Sequence, residues 1–412
     1  MMTPRPDTRP RVLASTCRRA LTCAASLACA VGPLAGCSAD GPARPQPQSA
    51  TERAKSTPIL LDDYAKLGYR LEWRGFPTML PGEHITQFEI FDDIVVAQES
   101  AGVVSVLESR SGTARWSDQV AGRLTKFVGI LRNDDRLLVS SESEIYFYDI
   151  ATGTLKNKQQ LQQVVNTRPA RVGDILVYGC ANGQVLGHLL LNGFRAWATG
   201  LGGSIATDPI LTSSGRVALC STTGELVILD GLSGLSQGRA KMFSGPGASI
   251  ASSDTALYIA STDHSLYAYS SEGAVPFWRK RTSQPLRQKP TYHDGRVYCD
   301  MGEAEPNDAR ASARIKTPTV EVMGGLTCFD SANGKVLWSN PKVSGVLIGL
   351  RNKRLVVWNA ADSTVYTLQP ADGVIVEAVK LPGVTMLKPD AFTDGNLYAV
   401  STTGLVSKLA PK

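Results

Sequence analysis

A glycine-centred repeat constrains this chain more than any other feature of its sequence. Glycines in the same local context recur about every 40 residues, with one step about twenty residues longer. They are Gly112, Gly153, Gly193, Gly234, Gly273, Gly334 and Gly373. Each stands in a short polar turn between two short apolar runs, which have the length of strands and not of helices. The fixed period indicates one repeating architecture across the 412-residue chain.

Each period contains four strand-like runs. In residues 216–230, RVALCSTTGELVILD, two apolar runs flank a polar turn. A turn with Asp, Asn or Gly stands before each such pair, and a further apolar run, such as KFVGIL at 126–131, precedes that turn. The fourth run begins after the repeat glycine, where Trp116, Trp197 and Trp338 each follow it by four residues. Four antiparallel strands per period predict the blade of a β-propeller.

The two ends of the chain predict the number of blades. The last unit, 384–412, stops after its third strand-like run, while residues 69–76 supply an unpaired strand with Trp73. Pairing that strand with the last unit would close the ring and remove two exposed strand edges. The prediction is an all-β fold, an eight-bladed β-propeller of four-stranded antiparallel blades closed by an N-terminal strand.

The strand, turn and tryptophan pattern in 216–230 and in 328–338 (CFDSANGKVLW) resembles the repeat of the PQQ-like β-propeller family. That family includes quinoprotein dehydrogenases and BamB-like bacterial lipoproteins, and the resemblance covers about residues 69–412. It implies that each repeat glycine allows a sharp turn and that Trp73, Trp116, Trp197 and Trp338 dock on a neighbouring blade. The remaining copies have Asn157, Gly238, Phe277 and Glu377 at the docking position, with Trp278 one place late.

The N-terminus has the layout of an export signal. Five arginines precede the uncharged run ALTCAASLACAVGPLAGC, which is too short to span a bilayer. Its end, LAGC, resembles the lipobox of bacterial lipoproteins, in which Cys37 accepts a diacylglyceryl group. Cleavage after Ala30 by an ordinary signal peptidase is the alternative. We therefore predict a lipoprotein signal peptide at 1–36, a flexible tether at 37–58 and the propeller at 59–412.

The charge balance argues against nucleic acid as a partner. Residues 1–36 contain five Arg and one Asp, so their removal lowers the formal net charge from +6 to +2. The mature chain has no basic stripe interleaved with aromatic residues.

No catalytic, cofactor or metal site is predicted. Four cysteines follow the lipobox, and pairing of Cys180 with Cys220 or of Cys299 with Cys328 stays open, as do four buried thiols. No CxxC, paired-histidine, GxSxG or phosphate-loop motif occurs. Quinoprotein dehydrogenases resemble this chain in the repeat alone, because their adjacent Cys-Cys pair is absent. A PQQ-dependent enzyme and a propeller that binds a small molecule in its central funnel are the alternative functions.

One long insertion is the candidate recognition element. Residues 300–325 stand where other repeats turn within a few residues. The candidate partner loop consists of Glu303, Glu305, Asp308, Arg310, Arg314 and Lys316. A solvated loop without a partner is the alternative. The sequence thus predicts a monomeric, non-enzymatic scaffold, held by lipid on the outer face of the bacterial cell membrane, that binds envelope proteins.

Overall fold

Eight four-stranded antiparallel sheets make up nearly all of the chain that the structure describes. The structure is a computed structural model, and it describes residues 49–303 and 323–412. Two short helices, α1 (Ala50–Ser56) and α2 (Leu61–Lys66), precede the strands. Each sheet is one blade. Its strands are called A to D in the order in which they are given below, and each is paired with the next. The predicted eight-bladed propeller is confirmed.

The strands follow the blades in chain order, except that the first strand belongs to the last blade. Blade 8 consists of β30 (Val384–Pro389), β31 (Leu397–Ser401), β32 (Val406–Pro411) and β1 (Tyr69–Gly75). The other blades are blade 1, β2 (Ile85–Ile90), β3 (Ile94–Glu99), β4 (Val103–Glu108), β5 (Ala114–Gln119); blade 2, β6 (Phe127–Asn133), β7 (Arg136–Ser141), β8 (Glu144–Asp149), β9 (Leu155–Gln160); blade 3, β10 (Ala170–Val172), β11 (Ile175–Gly179), β12 (Gln184–Leu189), β13 (Arg195–Gly200); blade 4, β14 (Ile210–Leu211), β15 (Arg216–Cys220), β16 (Glu225–Asp230), β17 (Ser236–Lys241); blade 5, β18 (Ala251–Ser252), β19 (Ala256–Ser261), β20 (Ser265–Ser270), β21 (Pro276–Arg281); blade 6, β22 (Thr291–His293), β23 (Arg296–Asp300), β24 (Leu326–Asp330), β25 (Val336–Asn340); and blade 7, β26 (Val346–Arg351), β27 (Arg354–Asn359), β28 (Thr364–Leu368), β29 (Ile375–Lys380).

The hydrophobic core lies between neighbouring blades. The B and C strands are buried on both faces, as in β3, where all six residues are buried. Between blades 1 and 2, for example, Val104 and Val106 of β4 pack in one cluster with Leu137 and Val139 of β7. This double burial explains why the B and C strands are continuous apolar runs in the sequence.

The N-terminal strand completes the last blade. β1 pairs antiparallel with β32 from Tyr69 opposite Pro411 to Gly75 opposite Val406. Main-chain hydrogen bonds between the two ends of the propeller therefore close the ring. β32 pairs with β31 on one edge and with β1 on the other, so neither of its edges is free.

The ring has two ends, to which we give names. The upper face is formed by the A–B and C–D turns, which include all the repeat-glycine turns. The lower face is formed by the B–C turns and by the D–A connections between blades. The alternation of antiparallel strands places these connections at opposite ends of every blade.

The end of the predicted tether is folded against the propeller. Helix α1 begins with a capping box between Ser49 and Glu52. The buried guanidinium of Arg53 donates to the carbonyl of Pro77 at 2.8 Å, and the hydroxyls of Thr57 and Thr403 are 2.5 Å apart. Residues 49–58, at the end of the predicted tether, therefore contact the propeller through Arg53 and Thr57, whose partners composition does not reveal. The predicted signal peptide and Cys37 lie outside the described residues.

Candidate functional site

Four predicted docking tryptophans lie over repeat glycines of the next blade. Trp116 covers Gly153, and its indole Nε1 donates to the carbonyl of Ile150 at 2.8 Å. A side chain at Gly153 would meet that indole at 2.6 Å, and its φ of 70° is in the left-handed region. The same pairing joins Trp73 to Gly112, Trp197 to Gly234 and Trp338 to Gly373. These residues therefore hold neighbouring blades together.

The assignment of Gly273 as a turn glycine is wrong by one position. In blade 5 the left-handed residue is Ala274, with φ of 58°, and its N–H donates to the carbonyl of Ser270. Trp278 then stands four residues after the turn residue, as in the other blades, and packs over Gly334. Trp278, and not Phe277, is therefore the docking residue of this blade. The prediction chose Gly273 because the turn residue of the other repeats is glycine, whereas in blade 5 the turn residue is the alanine that follows it.

Two seams have Asn157 and Gly238 where the tryptophan would stand, and in the first of them the contact is made by Gln159, two residues further along the strand. Between blades 2 and 3, Gln159 lies against Gly193 and donates to the carbonyl of Leu190 at 2.8 Å. Between blades 4 and 5, Gly238 lies directly against the backbone of Gly273. The missing indole is thus replaced in one case by an amide and in the other by close backbone approach.

The closing seam between blades 7 and 8 depends on Arg351. Its buried guanidinium donates to the carbonyls of Gly68 and Lys412, at 3.1 and 2.6 Å, and pairs with Asp394 at 2.9 Å. It also lies 5.4 Å from the ring centroid of Tyr69. One side chain therefore ties together both ends of the propeller. The sequence did not reveal this role, because a turn arginine carries no signal for it.

The cysteines in the described ranges form no disulfides. Cys180, Cys220, Cys299 and Cys328 are free and buried. Burial raises the pKa of the Cys180 thiol to about 11 and that of Cys220 to about 12. Across residues 49–303 and 323–412, no three His, Cys, Asp or Glu side chains are grouped to hold a metal ion.

Charged side chains from several blades meet around the innermost strands. Arg168 and Lys388 both pair with Glu89, at 2.8 and 3.3 Å, and the main-chain N–H of Arg168 donates to Asp208 at 2.9 Å. Burial raises the pKa of Asp208 and lowers the pKa of Lys289. The ion pairs of Glu89 link blades 1, 3 and 8, which makes a structural tie across the ring.

The long insertion leaves blade 6 from a rigid base on the lower face. Asp300 is buried and accepts hydrogen bonds from the main-chain N–H groups of Gly302 and Gly345 and from the hydroxyl of Ser344, at 2.9, 2.8 and 2.5 Å. Glu303 is exposed beside a cavity of about 400 Å³. The other predicted loop residues, Glu305, Asp308, Arg310, Arg314 and Lys316, lie outside the described residues.

The upper face of blades 3 to 5 carries exposed apolar side chains that we call the apolar rim. Its members lie in or directly after the C–D turns: Leu191, Phe194, Leu232, Leu235, Val275 and Phe277. Leu232 reaches to within 3.6 Å of where a side chain would begin at Gly173, so it bridges towards blade 3. Blade 1 has Arg110 and Thr113 at the corresponding places. Comparing equivalent turn residues of the repeats in the sequence could have indicated the rim, because these positions are apolar in blades 3 to 5 and polar in blade 1.

Comparisons with known proteins place the chain among propellers of this kind. The family model described as outer membrane protein assembly factor BamB matches residues 80–248 and 222–313. The crystal structure of BamB from Moraxella catarrhalis superposes with a TM-score of 0.60 at 19% identity, over 79% of this chain and 93% of that one. The computationally designed protein Ika8 gives a TM-score of 0.63 at 14% identity, over 82% of this chain and 99% of Ika8.

At these identities the two structures show the fold alone. No curated protein matched the sequence. No helix in the described ranges is both long and apolar enough to cross a membrane. The family model, however, covers more than half of the chain, and its repeat is the one seen in the blades. This chain belongs to the PQQ-like β-propeller family that is represented by the assembly factor BamB.

Proposed function

We propose that this protein is a lipid-anchored, extracytoplasmic scaffold that binds other proteins of the cell envelope. The apolar rim is the observation that carries the proposal. Leu191 is 85% exposed and Leu235 is 66% exposed, although both stand on hydrogen-bonded turns of a closed ring. Aromatic and aliphatic side chains clustered on a rigid surface are typical of a protein-binding site. A stiff ring also loses little conformational entropy when it docks.

Similarity supports the role. BamB is described as an outer membrane protein assembly factor, which is a protein that acts with other envelope proteins. The proposed anchor is the thiol of Cys37, which would hold the protein on the outer face of the cell membrane as a monomer. Replacing Cys37 by Ala should release the protein into the soluble fraction, and retention on the membrane would contradict the anchor.

Affinity capture after cross-linking in intact cells tests the binding role. The variant Leu232→Ser/Leu235→Ser should recover several-fold less of the partner proteins than the natural chain does. The matched control is Leu155→Ser/Val374→Ser, which removes exposed apolar side chains from the upper face of blades 2 and 7, outside the rim. Equal recovery by all three proteins would overturn the rim as the binding site.

A chain without residues 304–322 separates the rim from the insertion. If the rim binds the partner, this deletion should leave recovery unchanged. Loss of partners on deletion, together with normal recovery by the rim variant, would assign recognition to the insertion instead.

A further inference from the structure

The N-terminal segment joins the propeller at the lower face. The carbonyl that Arg53 contacts belongs to Pro77, in the connection from blade 8 to blade 1, and Thr57 contacts Thr403, in the B–C turn of blade 8. Arg53 also lies 5.8 Å from the ring centroid of Phe76 in the same connection. The chain that comes from Cys37 therefore reaches the folded body at the end of the ring opposite the apolar rim.

The length of chain before this junction limits how far the body can lie from its anchor. Twelve residue steps separate Cys37 from Ser49 in the sequence. Even a fully extended chain of that length spans no more than about 40 Å. If Cys37 carries the lipid, as the proposed function has it, the lower face is the end of the ring held next to the bilayer.

The lower face presents isolated apolar side chains at the tips of its connections. Leu124, between blades 1 and 2, is 99% exposed, and Phe243, between blades 4 and 5, is 82% exposed. The guanidinium of Arg279 lies 4.9 Å from the ring centroid of Phe243 and 5.0 Å from that of Tyr267. A phenyl ring with a cation at its base is suited to the boundary between lipid headgroups and acyl chains.

The same face carries an excess of unpaired positive charge. The exposed cations that form no ion pair within the described ranges are Lys126, Lys241, Arg281, Arg287, Lys289, Lys342 and Lys380. Carboxylates on this face that are at least partly exposed and likewise outside the ion pairs are Glu142, Asp208, Glu303 and Asp362. The sequence of 304–322 adds three acidic and three basic residues, so it does not change the sign. The A–B turns of the upper face, by contrast, are rich in Asp.

We propose that the lower face rests on an anionic phospholipid surface, with Leu124 and Phe243 entering the headgroup layer and the neighbouring lysines and arginines contacting lipid phosphates. The inference rests on the proposed lipid anchor and adds an orientation to it. Each cation near an anionic leaflet contributes to attraction, and the attraction is screened by salt. In this orientation the apolar rim points away from the membrane, towards soluble parts of envelope proteins.

Site-specific fluorescence on the mature, lipidated protein in vesicles tests the orientation. An environment-sensitive dye is attached to Leu124→Cys or Phe243→Cys on the lower face, and to the matched controls Leu191→Cys or Phe194→Cys on the rim. The native thiols do not compete, because they are buried and burial raises their pKa. The vesicles contain either phosphatidylglycerol with phosphatidylcholine or phosphatidylcholine alone.

Dyes at 124 and 243 should shift to shorter wavelength and be quenched by bilayer-embedded quenchers in the anionic vesicles. Dyes at 191 and 194 should show neither change. High salt, or the variant Lys241→Glu/Arg281→Glu, should reduce the shift, whereas Arg195→Glu/Lys335→Glu on the upper face should not.

Two results would overturn the inference. One is an identical signal from the two faces in anionic vesicles. The other is shielding of 124 and 243 in native membranes but not in vesicles of pure lipid, which would assign the lower face to a protein. Neither result depends on the capture experiment, because that experiment reads the apolar rim. Failure of the membrane contact and failure of the scaffold role are therefore distinguishable.

Discussion

The seams between blades are of two kinds, those filled by tryptophan and those that are not. Their comparison shows that the ring does not require one particular residue type at every seam. Five seams are filled by an indole that lies over the turn of the next blade. Three have no indole: blades 2 and 3 meet through Gln159, blades 4 and 5 through Gly238, and blades 7 and 8 through Arg351. Several chemistries therefore satisfy the same backbone geometry.

A hydrogen bond to the next turn occurs in seams of both kinds, although the indole Nε1 of Trp197 finds no partner among the described residues and Gly238 has no side chain to donate. Trp116 donates to the carbonyl of Ile150, and Gln159 donates to that of Leu190, which is the equivalent residue of blade 3; both bonds are 2.8 Å long. At the closing seam the carbonyls belong to the chain ends, and an arginine supplies several donors at once. The place inside blade 8 where no chain joins β32 to β1 is thus held by a charged, multidentate contact from blade 7, in place of an indole.

Loss of the closing contact should have the largest effect on stability. Arg351→Ala leaves the carbonyls of Gly68 and Lys412 without these donors and removes the partner of Asp394. We expect the free energy of unfolding, measured by denaturant titration, to fall by about 3 kcal/mol or more. Hydrogen exchange should quicken first in β1 and β32. The control is Arg354→Ala, which removes an exposed arginine at the start of β27, three residues after Arg351. An equal loss in both variants would contradict a closing role for Arg351.

Much of the fold was predictable because it depends on local patterns. The buried B and C strands force apolar runs, and left-handed turn positions favour glycine, so both leave marks in the sequence at a fixed period. The unpaired strand at 69–76 and the truncated last unit were sufficient to predict eight blades. The closing role of Arg351 was not predictable, because it depends on where distant chain ends meet.

The seam between blades 4 and 5 distinguishes the turn residue from its neighbour. Gly238→Ala would push a methyl group into the backbone of Gly273, and we expect a loss of about 2 kcal/mol. Gly273→Ala should change the free energy of unfolding by less than about 0.5 kcal/mol, because nothing lies within 4 Å of the added carbon and φ there is not left-handed. Thermal or denaturant unfolding of the two variants checks this. A large loss for Gly273→Ala would restore Gly273 as the turn residue.

The candidate surfaces were less predictable than the fold. An insertion is visible as a break in the period, but an exposed leucine in a turn does not differ in the sequence from a buried one. The apolar rim and the lower face became recognisable once the ring showed which turns share an end. Arg53 and Thr57 illustrate the same limit, because their partners Pro77 and Thr403 are brought near by the fold alone.

The seam between blades 2 and 3 should be sensitive to acid, unlike the indole seams. His188 is buried there, and its Nε2–H donates to the amide oxygen of Gln159 at 2.8 Å. Its Nδ1 finds no partner among the described residues. Burial lowers the pKa of His188 from 6.5 to about 4. The folded state therefore resists a proton that the unfolded chain accepts, so stability present above pH 6.5 is lost as the pH falls towards 4.

This acid sensitivity gives the smallest of the expected effects at moderate pH. Between pH 7 and pH 5.5, we expect His188 to account for a loss of about 1 kcal/mol in the free energy of unfolding. The equivalent residues of blades 1 and 4 are Leu107 and Leu229, so His188→Leu is the variant of choice. It should be less stable at pH 7, but its free energy of unfolding should change less between pH 7 and pH 5.5. Denaturant titrations of both proteins at the two pH values give the difference. Parallel profiles would show that the seam tolerates a charged imidazole, and the amide seam would then be no more sensitive to acid than the indole seams.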